Sequence, residues 1–233
     1  EELLRYDGSV KATVRWAKED FELGGKQIKA GERLLLGLSA ANRDPEQFED
    51  ALIRDTIETI GQMKHIQRKN GSEGCNRYII SHAEDMYSVL YVFSLLRWCG
   101  WGQGDVPVDI IPLFESMEGM KNAGSIMQEL FDIPQYRAHI VQRRDRQIIM
   151  LGFSDGTKDG GYLKANWSIY TTKETLSAVC DEHGIQAIFF DGRGGPPARG
   201  GGKTHRFYAS HGKNIANHAI QLTIQGQTIT SMY

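Results

Sequence analysis

The chain has 233 residues, of which 40% are hydrophobic and 24% charged, a composition typical of a globular protein with a buried core. Its 27 basic and 29 acidic side chains give a net charge of −2, which excludes a broadly basic nucleic-acid-binding surface. The longest apolar runs fall far short of the roughly 20 residues that cross a bilayer, so no membrane partner is expected. Cys75, Cys99 and Cys180 are too dispersed for a disulfide framework, and they predict free thiols in a reducing cytoplasm.

The first 49 residues predict a short helix followed by a β-meander. Residues 1–6 have helical character, and their abrupt start suggests a cut edge. Strands are expected at residues 13–17, 21–23, 26–29 and 33–38. Gly24-Gly25 provides a two-residue hairpin turn, and Pro45 favours the start of another short helix.

From residue 50 onward, strands alternate with longer helical segments. Five strands are predicted, at residues 77–81, 108–114, 147–153, 187–190 and 219–224. Helices are predicted at residues 52–69, 84–98, 118–131, 134–144 and 161–183. This alternation favours an α/β fold, a partial (β/α) barrel of about five parallel strands.

Charged residues follow two of these predicted strands directly. Glu115 follows the second strand, and Asp155 and Lys158 follow the third. The C-terminal ends of parallel strands meet at one edge, where two carboxylates can share a hard cation with water and substrate oxygens. The alternative, that Glu115 and Asp155 only cap the following helices, stays open.

A glycine-rich loop at residues 191–203 follows the fourth predicted strand. Its glycines let backbone N–H groups approach an anion closely. Arg193, Arg199 and Lys203 add fixed positive charge, and arginine can bind phosphate through two hydrogen bonds. A flexible linker is the alternative, but spaced arginines after a buried strand favour an anion-binding loop.

Three motifs, in order and spacing, resemble phosphoenolpyruvate carboxylase. They are Asp-Ile-Ile-Pro-Leu-Phe-Glu at 109–115, Met-Leu-Gly-Phe-Ser-Asp-Gly-Thr-Lys-Asp-Gly-Gly at 150–161, and Gly-Arg-Gly-Gly at 192–195 with Arg-Gly-Gly-Gly at 199–202. The resemblance runs from about residue 50 to the end of the chain. It implies a barrel enzyme that joins phosphoenolpyruvate and bicarbonate into oxaloacetate and phosphate, using Mg²⁺ or Mn²⁺.

The resemblance also implies roles for individual residues. Glu115 and Asp155 correspond to the metal ligands, and Lys158 to a neutralising charge in the same pocket. Arg193 corresponds to the arginine that holds phosphoenolpyruvate, and Arg199 to the one that stabilises the carboxyphosphate and enolate charges. The glycines of the substrate loop are Gly194 and Gly195.

Two departures from that family stand out. The family usually has a histidine where this chain has Asp191. Its catalytic histidine and another active-site arginine lie upstream, and no matching motif for either occurs here. An incomplete site with low or no turnover is therefore expected.

Residues 1–48 resemble a different family, the haem-thiolate monooxygenases of the cytochrome P-450 type. Glu2 and Arg5 match the Glu-x-x-Arg pair of that family, although an ordinary helical salt bridge is the alternative. Arg15 matches a position that often contacts a haem propionate. Haem is not expected to bind, because no cysteine lies in the thiolate-loop context.

Together the two resemblances predict a chimera of two segments, residues 1–49 and 50–233. Each segment would lack the partners that cover its apolar faces, and such patches favour self-association. An inactive structural chimera and a haem-monooxygenase fragment are the alternatives to a carboxylase.

Overall fold

The structure is a computed structural model that describes residues 13–23, 26–36, 51–102, 104–192 and 202–223. Four short strands lie near the N-terminus: β1 (Thr13–Trp16), β2 (Phe21–Leu23), β3 (Lys26–Ile28) and β4 (Arg33–Leu36). β1 pairs with β4 and β2 with β3, both antiparallel. The strands therefore form nested pairs and not the predicted meander, in which each strand would pair with the next. Leu23 pairs with Lys26, while the turn predicted at Gly24-Gly25 lies outside the described residues.

The larger part of the described chain is built on one parallel sheet. Its strands are β5 (Arg77–Ile80), β6 (Asp109–Phe114), β7 (Arg146–Leu151), β8 (Gln186–Asp191) and β9 (Ile220–Leu222). Each strand pairs in parallel with the next, in the order β5-β6-β7-β8-β9. Strands β6, β7 and β8 are nearly continuous apolar runs, as expected for strands buried on both faces. The predicted α/β fold with five parallel strands is confirmed.

Seven helices lie in the described part of the chain. They are α1 (Ala51–Asn70), α2 (Met86–Leu95), α3 (Met117–Phe131), α4 (Pro134–Gln142), α5 (Phe153–Gly160), α6 (Tyr162–Glu182) and α7 (Thr204–Ala209). Local signals explain several of the starts. Asp85 caps α2 by accepting the backbone N–H of Ser88 at 2.8 Å, and Pro134 occupies the first turn of α4. The helices predicted at residues 1–6 and after Pro45 lie outside the described residues.

Most predicted boundaries differ from the structure by one or two residues, and at two of them the chain changes to another kind of element. The third strand ends at Leu151 and not at residue 153, because Phe153 already begins helix α5, which was not predicted. The helix predicted to reach residue 98 ends at Leu95 and continues as a π-helical turn, Leu96–Trp101.

Apolar side chains pack on both faces of the sheet. Phe114, Ile149 and Phe189 belong to the main core between the sheet and the helices. Ile111, Ile148 and Ile188 form a smaller cluster with Met150 and Phe190. This double burial holds the strand ends in register, which positions the residues that follow them. None of the described helices has the length and apolar character that a membrane span requires.

Candidate metal- and anion-binding site

The C-terminal ends of β6, β7 and β8 approach each other closely around Gly152. The backbone N–H of Gly152 donates to the carbonyl of Phe114 at 3.0 Å. A Cβ atom at Gly152 would lie 2.6 Å from the Cβ of Glu115, and one at Gly192 would lie 3.1 Å from the carbonyl oxygen of Leu151. At Gly152 a side chain would force the neighbouring strand to shift, whereas at Gly192 the fit would be tight. These approaches bring Glu115 and the start of the glycine-rich loop to the same edge of the sheet.

Glu115 is held by the backbone of the segment after β5. Its Oε1 accepts the backbone N–H of His82 at 3.0 Å. His82 has a φ of 55°, a left-handed conformation that costs a non-glycine residue about 1–2 kcal/mol. Ser116, and not Glu115, caps α3, because its Oγ accepts the N–H of Gly119 at 2.9 Å. The capping alternative for Glu115 is therefore wrong.

Asp155 lies in the first turn of α5, where a carboxylate interacts favourably with the helix dipole. The N-cap of that helix is Gly152, so Asp155 is not the capping residue. Lys158, one turn further along, donates to its Oδ1 at 2.8 Å. The two side chains are 51% and 78% exposed, so this ion pair contributes little to stability and can rearrange around a ligand.

The donor set at this edge fits a hard divalent cation as part of a shared site. No group of three or more histidine, cysteine, aspartate or glutamate side chains within the described ranges could hold a metal ion alone. Glu115 and Asp155 would supply two carboxylate ligands, and Mg²⁺ is often held by one or two carboxylates with water and phosphate oxygens.

Six predicted site residues lie outside the described residues: Glu2, Arg5, Arg193, Gly194, Gly195 and Arg199. The backbone of Arg15 lies in β1, paired with Leu34, but its side chain is not described.

Asp191 is the last residue of β8 and not a loop residue, and it forms a buried ion pair that was not predicted. The Nζ of Lys173, on α6, lies 2.8 Å from its Oδ1 and 2.9 Å from its Oδ2. Both side chains are only 1% exposed. Lys173 Nζ also lies 5.5 Å from the ring centroid of Phe189, a cation–π contact.

Tyr208, on α7, completes this cluster. Its hydroxyl donates to Asp191 Oδ2 at 2.5 Å. Burial and the adjacent Asp191 charge raise the pKa of Tyr208 above its ordinary value, so the hydroxyl stays protonated as a donor. The glycine-rich loop leaves β8 at Asp191 and returns into α7, so the contact joins both ends of the loop.

The sequence of α6 contains a signal that Lys173 is buried and paired. The buried positions of this helix include Ala165, Ile169, Leu176 and Cys180, and Lys173 falls among them. A lysine on the buried face of an amphipathic helix requires an acidic partner, because a buried unpaired charge is costly. Asp191, which comes at the end of an apolar stretch, is a candidate for the acidic partner of Lys173.

A family model described as phosphoenolpyruvate carboxylase matches residues 39–233. The chain belongs to the phosphoenolpyruvate carboxylase family. Curated phosphoenolpyruvate carboxylases similar to it include those of Nitrosomonas europaea, 41% identical over 172 residues, and Gloeobacter violaceus, 33% identical over 186 residues. These matches cover 72% and 78% of this chain but only 18% and 20% of the relatives. The chain therefore spans about a fifth of the length of the curated carboxylases.

The carboxylase similarity extends into the N-terminal segment. The family match begins at residue 39, before the predicted junction near residue 50. The phosphoenolpyruvate carboxylase of Mycobacterium leprae is 35% identical over 217 residues, and that match covers 91% of this chain. Nothing in these matches supports a haem-thiolate segment or a chimera.

The contact at Gly152 can be tested by substitution. Gly152→Ala is expected to force the ends of β6 and β7 apart, because the added Cβ would lie 2.6 Å from Glu115 Cβ and 3.1 Å from Glu115 Cα. Overpacking of this kind costs about 1–3 kcal/mol, measurable by urea unfolding. Gly61→Ala on α1 is the control, since a Cβ there meets open space. Equal stability of the two variants would contradict the close approach.

Proposed function

We propose that the chain binds a divalent metal and phosphoenolpyruvate at the C-terminal edge of its sheet, as part of a phosphoenolpyruvate carboxylase active site. The observation that carries the proposal is the convergence of three strand ends at Gly152. That convergence brings Glu115 and Gly192, the last described residue before the glycine-rich loop, to the same edge as the start of α5, which carries Asp155. Membership of the carboxylase family supports the same assignment.

The proposed roles follow from charge. Glu115 and Asp155 would hold Mg²⁺ or Mn²⁺, which when bound neutralises negative charge on the substrate as a Lewis acid. Lys158 would move from Asp155 to the phosphate or carboxylate of the ligand. Arg193 and Arg199 would bind phosphoryl oxygens, and the N–H groups of Gly194 and Gly195 would donate to the same anion.

The reaction proposed for the complete site is the carboxylation of phosphoenolpyruvate. Bicarbonate oxygen takes the phosphoryl group, which leaves an enolate and carboxyphosphate. The enolate carbon then attacks the carboxyl carbon, and oxaloacetate and phosphate are released. The fixed positive charges of Arg199 and Lys158 would stabilise the enolate by electrostatic preorganisation. Because this chain spans about a fifth of its relatives, we propose ligand binding with little turnover for the chain itself.

Asp155→Ala is expected to abolish Mn²⁺ binding measured by isothermal titration calorimetry, because it removes one of the two carboxylates proposed as metal ligands. Asp105→Asn is the control, since Asp105 is an exposed carboxylate that follows none of the strand ends at this edge. Oxaloacetate formation, coupled to NADH oxidation with and without Mn²⁺, measures turnover in parallel. Mn²⁺ binding that survives in Asp155→Ala would refute the metal site.

A further inference from the structure

Most residues that line a polar cavity of about 380 Å³ lie at the opposite edge of the sheet, where the parallel strands begin. The cavity also extends to Ile148 and Ile188 within the strands and to Gln221, which pairs with Phe190 near the end of β8. Four arginines line it. Arg77 is the first residue of β5 and Arg146 the first of β7, while Arg143 and Arg144 belong to the turn before β7. The six residues of β7 separate this edge from Gly152 by roughly 16–20 Å. The arginines that line the cavity are therefore distinct from the residues of the site proposed above.

The cavity carries excess positive charge. Its two acidic lining residues, Glu73 and Asp109, are already engaged. Arg143 Nε donates to Asp109 Oδ1 at 2.6 Å, and Glu73 Oε2 accepts from the side chain of Asn76 at 3.0 Å. Four guanidinium groups against two carboxylates leave two unbalanced positive charges.

Two of the four arginines have guanidinium N–H groups that are available to bind a ligand. Arg77 and Arg144 are exposed, and their guanidinium groups make no hydrogen bond or ion pair with any described residue. Gln221 also lines the cavity, and its buried Oε1 has no hydrogen-bond partner within the described ranges. The unused donors of this wall are therefore the guanidinium groups of Arg77 and Arg144, since the Gln221 oxygen only accepts hydrogen bonds.

The turn that carries Arg144 is strained. Arg144 has a φ of 62° and Asp145 a φ of 51°, two consecutive non-glycine residues in the left-handed region. Glycine would adopt this conformation without strain. The chain nevertheless has an arginine at this position, although the backbone conformation disfavours any side chain. Asp145 is fixed by Arg137, whose Nη1 donates to its Oδ1 at 2.7 Å.

We propose that this cavity binds a small anion that carries a phosphoryl group. Arginine forks donate two parallel hydrogen bonds to phosphoryl oxygens, and the two excess charges match a dianion. The four arginines come from two separate segments, so they can surround the several oxygens of a tetrahedral group. The site does not depend on Glu115, Asp155 or the glycine-rich loop.

The test titrates inorganic pyrophosphate, without metal and at low ionic strength, into the full chain carrying Arg193→Gln and Arg199→Gln. These substitutions remove the loop arginines, so remaining binding reports the cavity alone. We expect one binding event that weakens at least about tenfold when Arg77→Gln or Arg144→Gln is added, because each removes a charge-assisted hydrogen bond. Loss of binding in the loop variant itself would overturn the second site and leave the proposed function intact.

Matched variants separate binding from folding. Arg144→Gly suits the left-handed backbone and should weaken pyrophosphate binding as Arg144→Gln does, with no loss of thermal stability. Lys121 lies on α3, is 75% exposed and does not line the cavity, so Lys121→Gln should leave the affinity unchanged. Equal weakening by Lys121→Gln would show that only net charge matters and would overturn the proposal. Malonate binding as tightly as pyrophosphate would overturn the phosphoryl assignment.

Discussion

Replacing Lys173 with methionine is expected to lower the free energy of unfolding by about 3–5 kcal/mol. The substitution leaves the carboxylate of Asp191 buried without its cation, since both side chains are only 1% exposed. Tyr208 would still donate one hydrogen bond, which cannot replace a positive charge at 2.8 Å. Urea unfolding with an unchanged m-value measures the loss.

Lys158→Met provides a control matched in chemistry and distance. Lys158 also lies 2.8 Å from a carboxylate oxygen, but its side chain is 78% exposed and that of Asp155 is 51% exposed. Exposed pairs contribute about 0–1 kcal/mol, so only the Lys173 variant should lose much stability. Similar losses in both variants would show that burial does not set the strength of the Lys173–Asp191 pair.

A double variant isolates the unpaired charge. Adding Asp191→Asn to Lys173→Met removes the stranded carboxylate and keeps an oxygen that can accept from Tyr208. We expect recovery of more than half of the lost stability, because much of the cost of breaking a buried pair is the desolvated partner left behind. No recovery would indicate that Lys173 stabilises the fold mainly by packing.

Acidification from pH 7 to pH 4 is expected to destabilise the chain through His139 by up to about 3 kcal/mol. Burial, and next the nearby Arg143, lower the pKa of His139 from 6.5 to about 4. Between these pH values the unfolded chain binds a proton that the folded chain excludes. This stability is therefore fully present above pH 6.5 and is lost progressively as the pH falls toward 4.

The contribution of His139 is isolated by comparison with His139→Leu, which removes the titrating ring. The ring packs 5.0 Å from Phe93 and its Nδ1 has no hydrogen-bond partner among the described residues, so leucine should fit this apolar environment. The variant should lose less stability than the parent chain between pH 7 and pH 4. His65→Gln, at an exposed position of α1, should follow the parent. Parallel curves for the parent and His139→Leu would refute this role of His139.

Much of the fold was predictable because its signals are local. Apolar runs such as those of β6, β7 and β8 define buried strands, and the intervening periodic segments define helices. The predicted edge that unites Glu115 with the glycine-rich loop follows from parallel strand order alone. Helix α5 was missed because its sequence, Phe-Ser-Asp-Gly-Thr-Lys-Asp-Gly, contains two glycines and no apolar stripe.

The features that escaped prediction depend on contacts distant in sequence. Lys173 and Asp191 lie on a helix and a strand whose packing decides that both are buried. Pairing of β1 with β4 depends on the partner that each strand finds, and strand propensity does not specify it. Likewise, Gly152 is recognisable as a close-approach glycine only once β6 and β7 are neighbours.

The hydrogen bond between Tyr208 and Asp191 affects which sequence changes the glycine-rich loop can tolerate. This contact joins β8, which precedes the glycine-rich loop, to α7, which follows it, through two residues that lie outside the loop segment 192–203. We therefore expect insertions or exchanges within the loop to leave β8 and α7 joined by this contact. Loops taken from related carboxylases could be grafted between these two anchors, so that the anion binding proposed for the loop can be compared on one scaffold.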